Sequence, residues 1–261
     1  MDIIQFKEAN CKGCYKCIRN CDLKAIKFSN EQARILDSEC VLCGKCTLVC
    51  PQNAKVIKSD LPETKELINN GTMLYATIAP SYVSAFPNVS FAQLSNALKK
   101  LGFVRVEETA IGASMVSAEY SKLMQKKEMK NIITTCCPTI NLLVEKYYPE
   151  LVPYLAPVVA PATAHAKALK ELYGNNIKVV FIGPCISKKY EAHMNDYINT
   201  VLMFDELKEW LEEENITLTE TDNESTEMCN TISRFYPVPE GIIQTIPSDI
   251  RKNYKTMAVD G

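Results

Sequence analysis

From residue 72 onward the chain alternates short, almost uninterrupted apolar runs with longer amphipathic ones. "TMLYATIAP" is such a run, ending in Pro80, and "SFAQLSNALKKLG" (90–102) reads as an amphipathic helix with Gly102 as its stop. "FVRVEETA" reads as a strand and "ASMVSAEYSKLMQKK" as a helix. Strand "NIITTC", helices "INLLVEKYY" and "TAHAKALKELYG", strand "KVVFIGPC" and helix "FDELKEWLEEE" follow. Strand–helix alternation with near-continuous apolar strands predicts a mostly parallel sheet covered by helices.

Three of these strands end in unusual residues: "TIAPS" (77–81), "TTCCP" (134–138) and "IGPCISKK" (182–189). In open α/β sheets ligands collect beyond the carboxyl ends of the strands, where backbone and side chains converge. Cys136, Cys137 and Cys185 are therefore expected to meet at one edge of the sheet. Adjacent cysteines bridge each other only with strain, so a disulfide is a poor account of Cys136 and Cys137, and a reachable metal centre is a better one. Blander readings hold elsewhere. Cys229, in "TEMCNT", reads as a small buried hydrophobe. His165 lies in an alanine-rich helical pattern and reads as packed or surface rather than ligating. Taken alone, Lys188 and Lys189 would be a solvated helix face.

Composition changes the picture at the other end of the chain. The 261 residues, 47% hydrophobic and 23% charged, allow two domains and a sizeable core. A formal charge of −2 argues against nucleic acid or an anionic membrane as partner. Apolar runs such as "VVFI" are too short to span a bilayer. "MDIIQFKEANC" lacks a basic start followed by a long apolar stretch, so a cytoplasmic protein is expected. Twelve cysteines against two histidines, His165 and His193, favour metal or redox duty over a disulfide framework or a His-rich site. Eight of those cysteines lie between residues 11 and 50, marking residues 1–60 as a small module and 70–261 as the larger body.

"CKGCYKCIRNC" supplies Cys11, Cys14, Cys17 and Cys21, and "CVLCGKCTLVCP" supplies Cys40, Cys43, Cys46 and Cys50, each 29 residues after its counterpart. The spacing C-x2-C-x2-C-x3-C, twice, resembles a two-cluster bacterial ferredoxin. A loop with a cysteine at every third residue wraps three corners of one iron–sulfur cube, and the fourth cysteine reaches the other. One cluster then takes Cys11, Cys14, Cys17 and Cys50, the other Cys40, Cys43, Cys46 and Cys21. Pro51 follows the second run as the pattern requires, whereas Asp22 stands after the first, where its charge would lower the nearby potential. Gly13 and Gly44 leave room for backbone beside the clusters. Zinc ribbons use paired C-x2-C knuckles and match poorly. Because such a module only moves electrons, the body is expected to be its redox partner.

"TTCCP" and "GPCISKKYEA" resemble the first two active-site signatures of the iron-only (FeFe) hydrogenases, in the same order behind a ferredoxin module. The resemblance runs to about residue 205 and implies an α+β ferredoxin-like domain followed by an α/β hydrogenase catalytic domain. It also implies the H-cluster, a 4Fe–4S cube joined to a two-iron unit bearing carbon monoxide, cyanide and a bridging amine, which interconverts H2 with protons and electrons. By match, Cys137 and Cys185 ligate the cube. Cys136 is the proton-passing thiol, Glu119 the next acid of the proton path, and Lys188 the partner of a cyanide. Ala79, Pro80 and Ser81 line the two-iron pocket, with Pro161 as another wall residue.

The resemblance also implies a redox partner such as a ferredoxin or an NAD(P)H-linked subunit, and an anaerobic setting. The third signature, with two more cysteines, is absent, so the catalytic domain is expected to be incomplete, part of a longer protein and inactive alone. Thr139-Ile140, Gly183 and Lys122 depart from the family pattern and fit its sensory-type branch better. A hydrogen sensor of low turnover and a non-catalytic electron or cluster carrier are the alternatives to a working enzyme.

Overall fold

The structure, a computed structural model, describes residues 3–218 and 232–259, so Cys229 lies outside the described residues. In the cysteine-rich module β1 (Ile4–Phe6) pairs antiparallel with β4 (Lys55–Ile57), and β2 (Ile26–Ser29) with β3 (Gln32–Ile35). The sequence repeat is reproduced in the backbone. Gly13 and Leu42, Tyr15 and Gly44, and Lys24 and Asn53 are pairs 29 residues apart, and all six have positive φ. Tyr15 and Gly44 each open a four-residue helix, Lys16–Arg19 and Lys45–Leu48, so each cysteine loop turns through a left-handed corner before its helix. Cys17, Ile26 and Ala33 form the small core, with Cys21 and Cys46 packed against it. A core this small holds little apolar area.

The body is built on a four-stranded parallel sheet. Its strands are β5 (Leu74–Ile78), β6 (Arg105–Glu108), β7 (Lys178–Gly183) and β8 (Thr200–Met203), in the order β6-β5-β7-β8. Every residue of β5 and β8 is buried, as the continuous apolar runs require of strands covered on both faces. Thr77 points at His165 of the helix Pro161–Tyr173, and Thr200 at Thr64 of the helix Leu61–Asn69. Because Ala76 and Val180 are in register with Thr200, those two threonines lie on opposite faces and helices cover both. Phe103 and Trp210 meet at 6.0 Å between ring centroids where the sheet joins the helix Phe204–Glu213.

One predicted strand is not part of the sheet. Residues 131–136 make a single isolated bridge, Ile133 to Leu155. The bonds of Thr135 go elsewhere: its N–H donates to the Tyr120 hydroxyl at 2.9 Å, and its own hydroxyl donates to Val158 O at 2.6 Å. The paired cysteines therefore sit on an extended segment entering the helix Pro138–Tyr147, not on a sheet strand. Strand β8 and the helices Leu61–Asn69 and Ser187–His193 are elements that the hydrophobic pattern did not predict.

The helices Ala110–Lys126 and Pro161–Tyr173 pack closely through Gly112, where an added Cβ would lie 2.1 Å from Pro161 O. Since backbone cannot yield as a side-chain tip can, Gly112→Ala is expected to cost about 1–3 kcal/mol by overpacking. A thermal melt followed by circular dichroism reads this, and an unchanged midpoint would show that the helices part freely.

Candidate functional site

The chain leaves β7 at Gly183 and turns through Cys185 into the helix Ser187–His193, where the Lys188 N–H donates to Cys185 O at 3.1 Å. That turn aims Lys188 inward, and its residue is 8% exposed. The Lys188 ammonium donates to Cys136 O at 3.3 Å and to the Glu191 carboxylate, whose other oxygen accepts from the Thr163 hydroxyl at 2.5 Å. Two motifs some 50 residues apart in sequence thus converge, and Thr163 ties in the helix that begins at Pro161. Lys188 and Lys189 are not a solvated face. Lys189 is 2% exposed and bridges Asp60 at 3.0 Å and Glu206 at 3.6 Å.

Cys137 caps the helix Pro138–Tyr147, and the Asn141 side chain holds the segment by donating to Thr135 O at 3.1 Å. Burial pushes the Cys136 thiol up to about 11, against the pull of the Lys188 cation. Cys185 Sγ lies 3.0 Å from the Ser187 hydroxyl. At the end of β5, the Ala79 N–H donates to Ile182 O at 2.9 Å, which fixes the Ala79-Pro80-Ser81 turn beside the end of β7. A Cβ on Gly183 would lie 2.7 Å from the Phe181 ring and 3.1 Å from Ala79 Cβ, so the space a side chain would take here is filled by Phe181.

Glu119 is not brought to this site. It lies on the exposed side of its helix, paired with Lys122 at 2.6 Å. The next residue, Tyr120, faces the site instead: it is 1% exposed and receives the Thr135 N–H, one residue from Cys136. His165 is buried, bonded through Nδ1 to Thr77 at 2.8 Å and through Nε2 to Glu107 at 2.9 Å. Burial raises the Glu107 carboxyl, but the bonds from His165 and Arg105 outweigh it and hold the group low.

In the N-terminal module, none of the eight thiols is bridged. Ala25 N–H donates to Cys21 Sγ and Ala54 N–H to Cys50 Sγ, both at 3.3 Å and 29 residues apart, and Leu42 N–H donates to Cys40 Sγ at 3.4 Å. Cys11 and Cys50 are the two thiols held low: burial opposes this, and backbone N–H groups with the Lys55 cation overcome it. Burial pushes Cys46 up to about 12 and also raises Cys40. Neighbouring thiols cross the repeat, Cys11 beside Cys50 and Cys40 beside Cys21. Unbridged thiols that receive backbone N–H bonds in both halves of the repeat fit iron–sulfur clusters. Asp22 is bonded to Lys45 at 2.9 Å, so its charge is offset rather than presented alone to the thiols.

The module is seated on the site. The Lys146 ammonium donates to Cys40 O at 2.7 Å and Asp37 O at 2.9 Å, and the Tyr147 hydroxyl donates to Glu39 O at 2.8 Å. Ile186, next to Cys185, packs with Val41, Leu42, Leu142 and Met203. The Cys40–Cys46 loop therefore rests on the turn that carries Cys185 and on the helix that begins after Cys137.

These features define an iron–sulfur protein in which a dicluster module is joined to an α/β domain whose Cys136–Cys137 segment and Cys185 turn are tied together by Lys188. Residues 10–54 match the 4Fe-4S dicluster domain, and residues 72–259 match the iron only hydrogenase large subunit, C-terminal domain. The chain belongs to the iron-only hydrogenase large-subunit family. It is 29% identical over 218 residues to the periplasmic [Fe] hydrogenase large subunit of Nitratidesulfovibrio vulgaris, covering 74% of this chain and 52% of that one. Identity to iron hydrogenase 1 of Clostridium pasteurianum is 26% over 216 residues, 70% of this chain and 38% of the relative. The chain thus spans about half, or less, of the curated relatives' length. A solved [FeFe]-hydrogenase HydA1 from Chlamydomonas reinhardtii shares the fold, with a TM-score of 0.56 and 21% identity over 64% of this chain and 50% of that one. Among the described residues, no helix is long and apolar enough to cross a membrane.

Proposed function

We propose that these residues form the electron-relay module and the first part of the catalytic domain of a hydrogenase that interconverts H2 with protons and electrons. The observation that carries this reading is that the buried Lys188, three residues after Cys185, reaches the backbone carbonyl of Cys136 beside Cys137 and so joins the two cysteine motifs. Cys137 and Cys185 would hold the cubic part of the H-cluster, together with thiols supplied from outside these residues. When bound, that group supplies the metal centre at which hydrogen is split or formed. Lys188 offers a charged donor to a cyanide in a pocket where an unpaired anion is costly. The Cys136 thiol, one residue from a ligand, holds a proton at Sγ. Ala79, Pro80, Ser81 and Pro161 shape the wall.

Two 4Fe–4S clusters carry the electrons in this reading, one on Cys11, Cys14, Cys17 and Cys50, the other on Cys40, Cys43, Cys46 and Cys21. The seating of the Cys40–Cys46 loop on the Cys185 turn supports the second as the inner relay and leaves the first as the outer one. A ferredoxin or an NAD(P)H-linked subunit in an anaerobic cytoplasm would exchange electrons there.

Anaerobic reconstitution is expected to load about eight irons per chain, two cubic clusters, with unchanged iron in a Cys137→Ser/Cys185→Ser variant. A value near twelve would mean that a third cluster forms within these residues. A second reading, low-turnover hydrogen sensing, is favoured by the filled space at Gly183 and the surface position of Glu119. If the protein were only an electron carrier, Cys136→Ala would leave its redox behaviour intact and no hydrogen-dependent signal would exist to lose.

A further inference from the structure

The cysteine module is a repeat, and it is broken at one buried position. Lys55 stands 29 residues after Ile26, and both are buried, at 2% and 7% exposure. Where one half places a methyl-ended side chain, the other places an ammonium. Lys55 Nζ donates to Ala33 O at 2.7 Å and lies 4.7 Å from the centroid of the Phe6 ring. The backbone N–H of Ala33 faces Cys11 and that of Lys55 itself faces Cys50. Among the described residues no carboxylate lies within ion-pair distance of this cation. It is a buried positive charge compensated by a carbonyl, an aromatic face and whatever anionic group the neighbouring thiols hold.

The other half has no equivalent. Lys45 lies beside Cys43 and Cys21, but it is half exposed and Asp22 binds it at 2.9 Å. Lys146 approaches Cys40 from the body, part-exposed and bonded to two carbonyls. Solvent and counter-charge weaken both, whereas a buried charge acts through a low dielectric. The field of Lys55 also reaches Cys46 of that set, where burial outweighs it.

We infer that Lys55 is a fixed cation that sets the cluster on Cys11, Cys14, Cys17 and Cys50 at a higher reduction potential than its partner, so that a single electron in the module rests on the outer cluster. Adding an electron adds a negative charge, and that charge is more stable beside a buried ammonium that no carboxylate pairs among the described residues. Since the inner cluster is the one seated against the body, the asymmetry draws electrons outward and biases the relay toward hydrogen oxidation. This rests on the two-cluster reading above.

The test is a potentiometric titration of the reconstituted chain followed by EPR, with Cys14→Ser marking the signal of the outer cluster. In the unaltered chain the outer cluster is expected to hold the first electron by at least tenfold, a separation of about 59 mV for a one-electron couple. Lys55→Met is expected to shrink that preference tenfold or more, and Lys55→Arg to retain it. Lys55→Gln, which keeps a donor for Ala33 O, gives the same readout if the methionine variant fails to load iron. Equal potentials in the unaltered chain, or a split that survives loss of the cation at full iron content, would overturn the inference. Fewer than about eight irons would overturn the cluster reading itself, and this inference with it.

Discussion

Arg234→Met is expected to lower stability by about 3–5 kcal/mol, because it leaves a carboxylate stranded in the interior. Glu108 ends β6 with its side chain 1% exposed. Its two oxygens receive Arg234 Nε at 2.7 Å and Arg234 Nη2, a forked pair in which each group satisfies the other. The adjoining Tyr82 hydroxyl is pushed up first by burial and then by the Glu108 charge. Arg234 belongs to the short helix Ile232–Phe235, which is also tied to the helix Ala110–Lys126 by a Ser114 to Ser233 bond at 2.8 Å. The pair therefore staples the C-terminal segment to the end of the sheet. Urea unfolding of the reconstituted chain measures the loss. The double variant Glu108→Met/Arg234→Met is expected to recover most of it, since a buried pair replaced by apolar side chains is often neutral. A single variant within about 1 kcal/mol of the parent would mean that water reaches Glu108.

The parts of this protein that were legible in its sequence are those where one rule acts alone. Cysteine spacing needs only the cube and the chain, and the repeat it announces recurs in the left-handed corners at Gly13 and Leu42 and at Tyr15 and Gly44. Strands β5 and β7 are covered on both faces, so their unbroken apolar runs stand out. Residues 131–136 misled because a short apolar run before a polar pair looks the same whether its backbone bonds go to a ladder or, as here, to a tyrosine hydroxyl and side-chain caps. The place of Glu119 is a matter of helix phase. The buried side of its helix carries Ala113, Val116, Ser117, Tyr120 and Met124, and Glu119 falls outside that stripe. The stripe was visible in the sequence and pointed to Tyr120. Lys189 and Arg234 were not legible, because the acids that bury them, Asp60, Glu206 and Glu108, are more than 15 residues away in the chain and become neighbours only through the sheet.

Lys188→Met carries the largest effect on the proposed chemistry, and it has to be separated from an effect on folding. Lys188 and Glu191 are buried together, at 10% and 11% side-chain exposure, so removing the cation alone leaves Glu191 with the Thr163 hydroxyl as its remaining side-chain donor. That loss alone is expected to cost about 3–5 kcal/mol. Lys188→Met/Glu191→Met removes both charges and is expected to regain most of the stability. The ammonium also holds Cys136 O at 3.3 Å and is the one donor aimed from the helix Ser187–His193 at the paired-cysteine segment. If that donor serves an anionic ligand in the pocket, both variants lose hydrogen turnover by about 100-fold or more, the size seen when a preorganised donor to developing charge is removed. Hydrogen-dependent dye reduction by the matured protein with its remaining cluster thiols supplied, measured beside the melting midpoint, separates the two roles. Recovery of stability without recovery of turnover places Lys188 in the chemistry. Recovery of both would reduce it to a strut that fixes the cysteine segment, and the hydrogenase reading would lose the observation on which it stands.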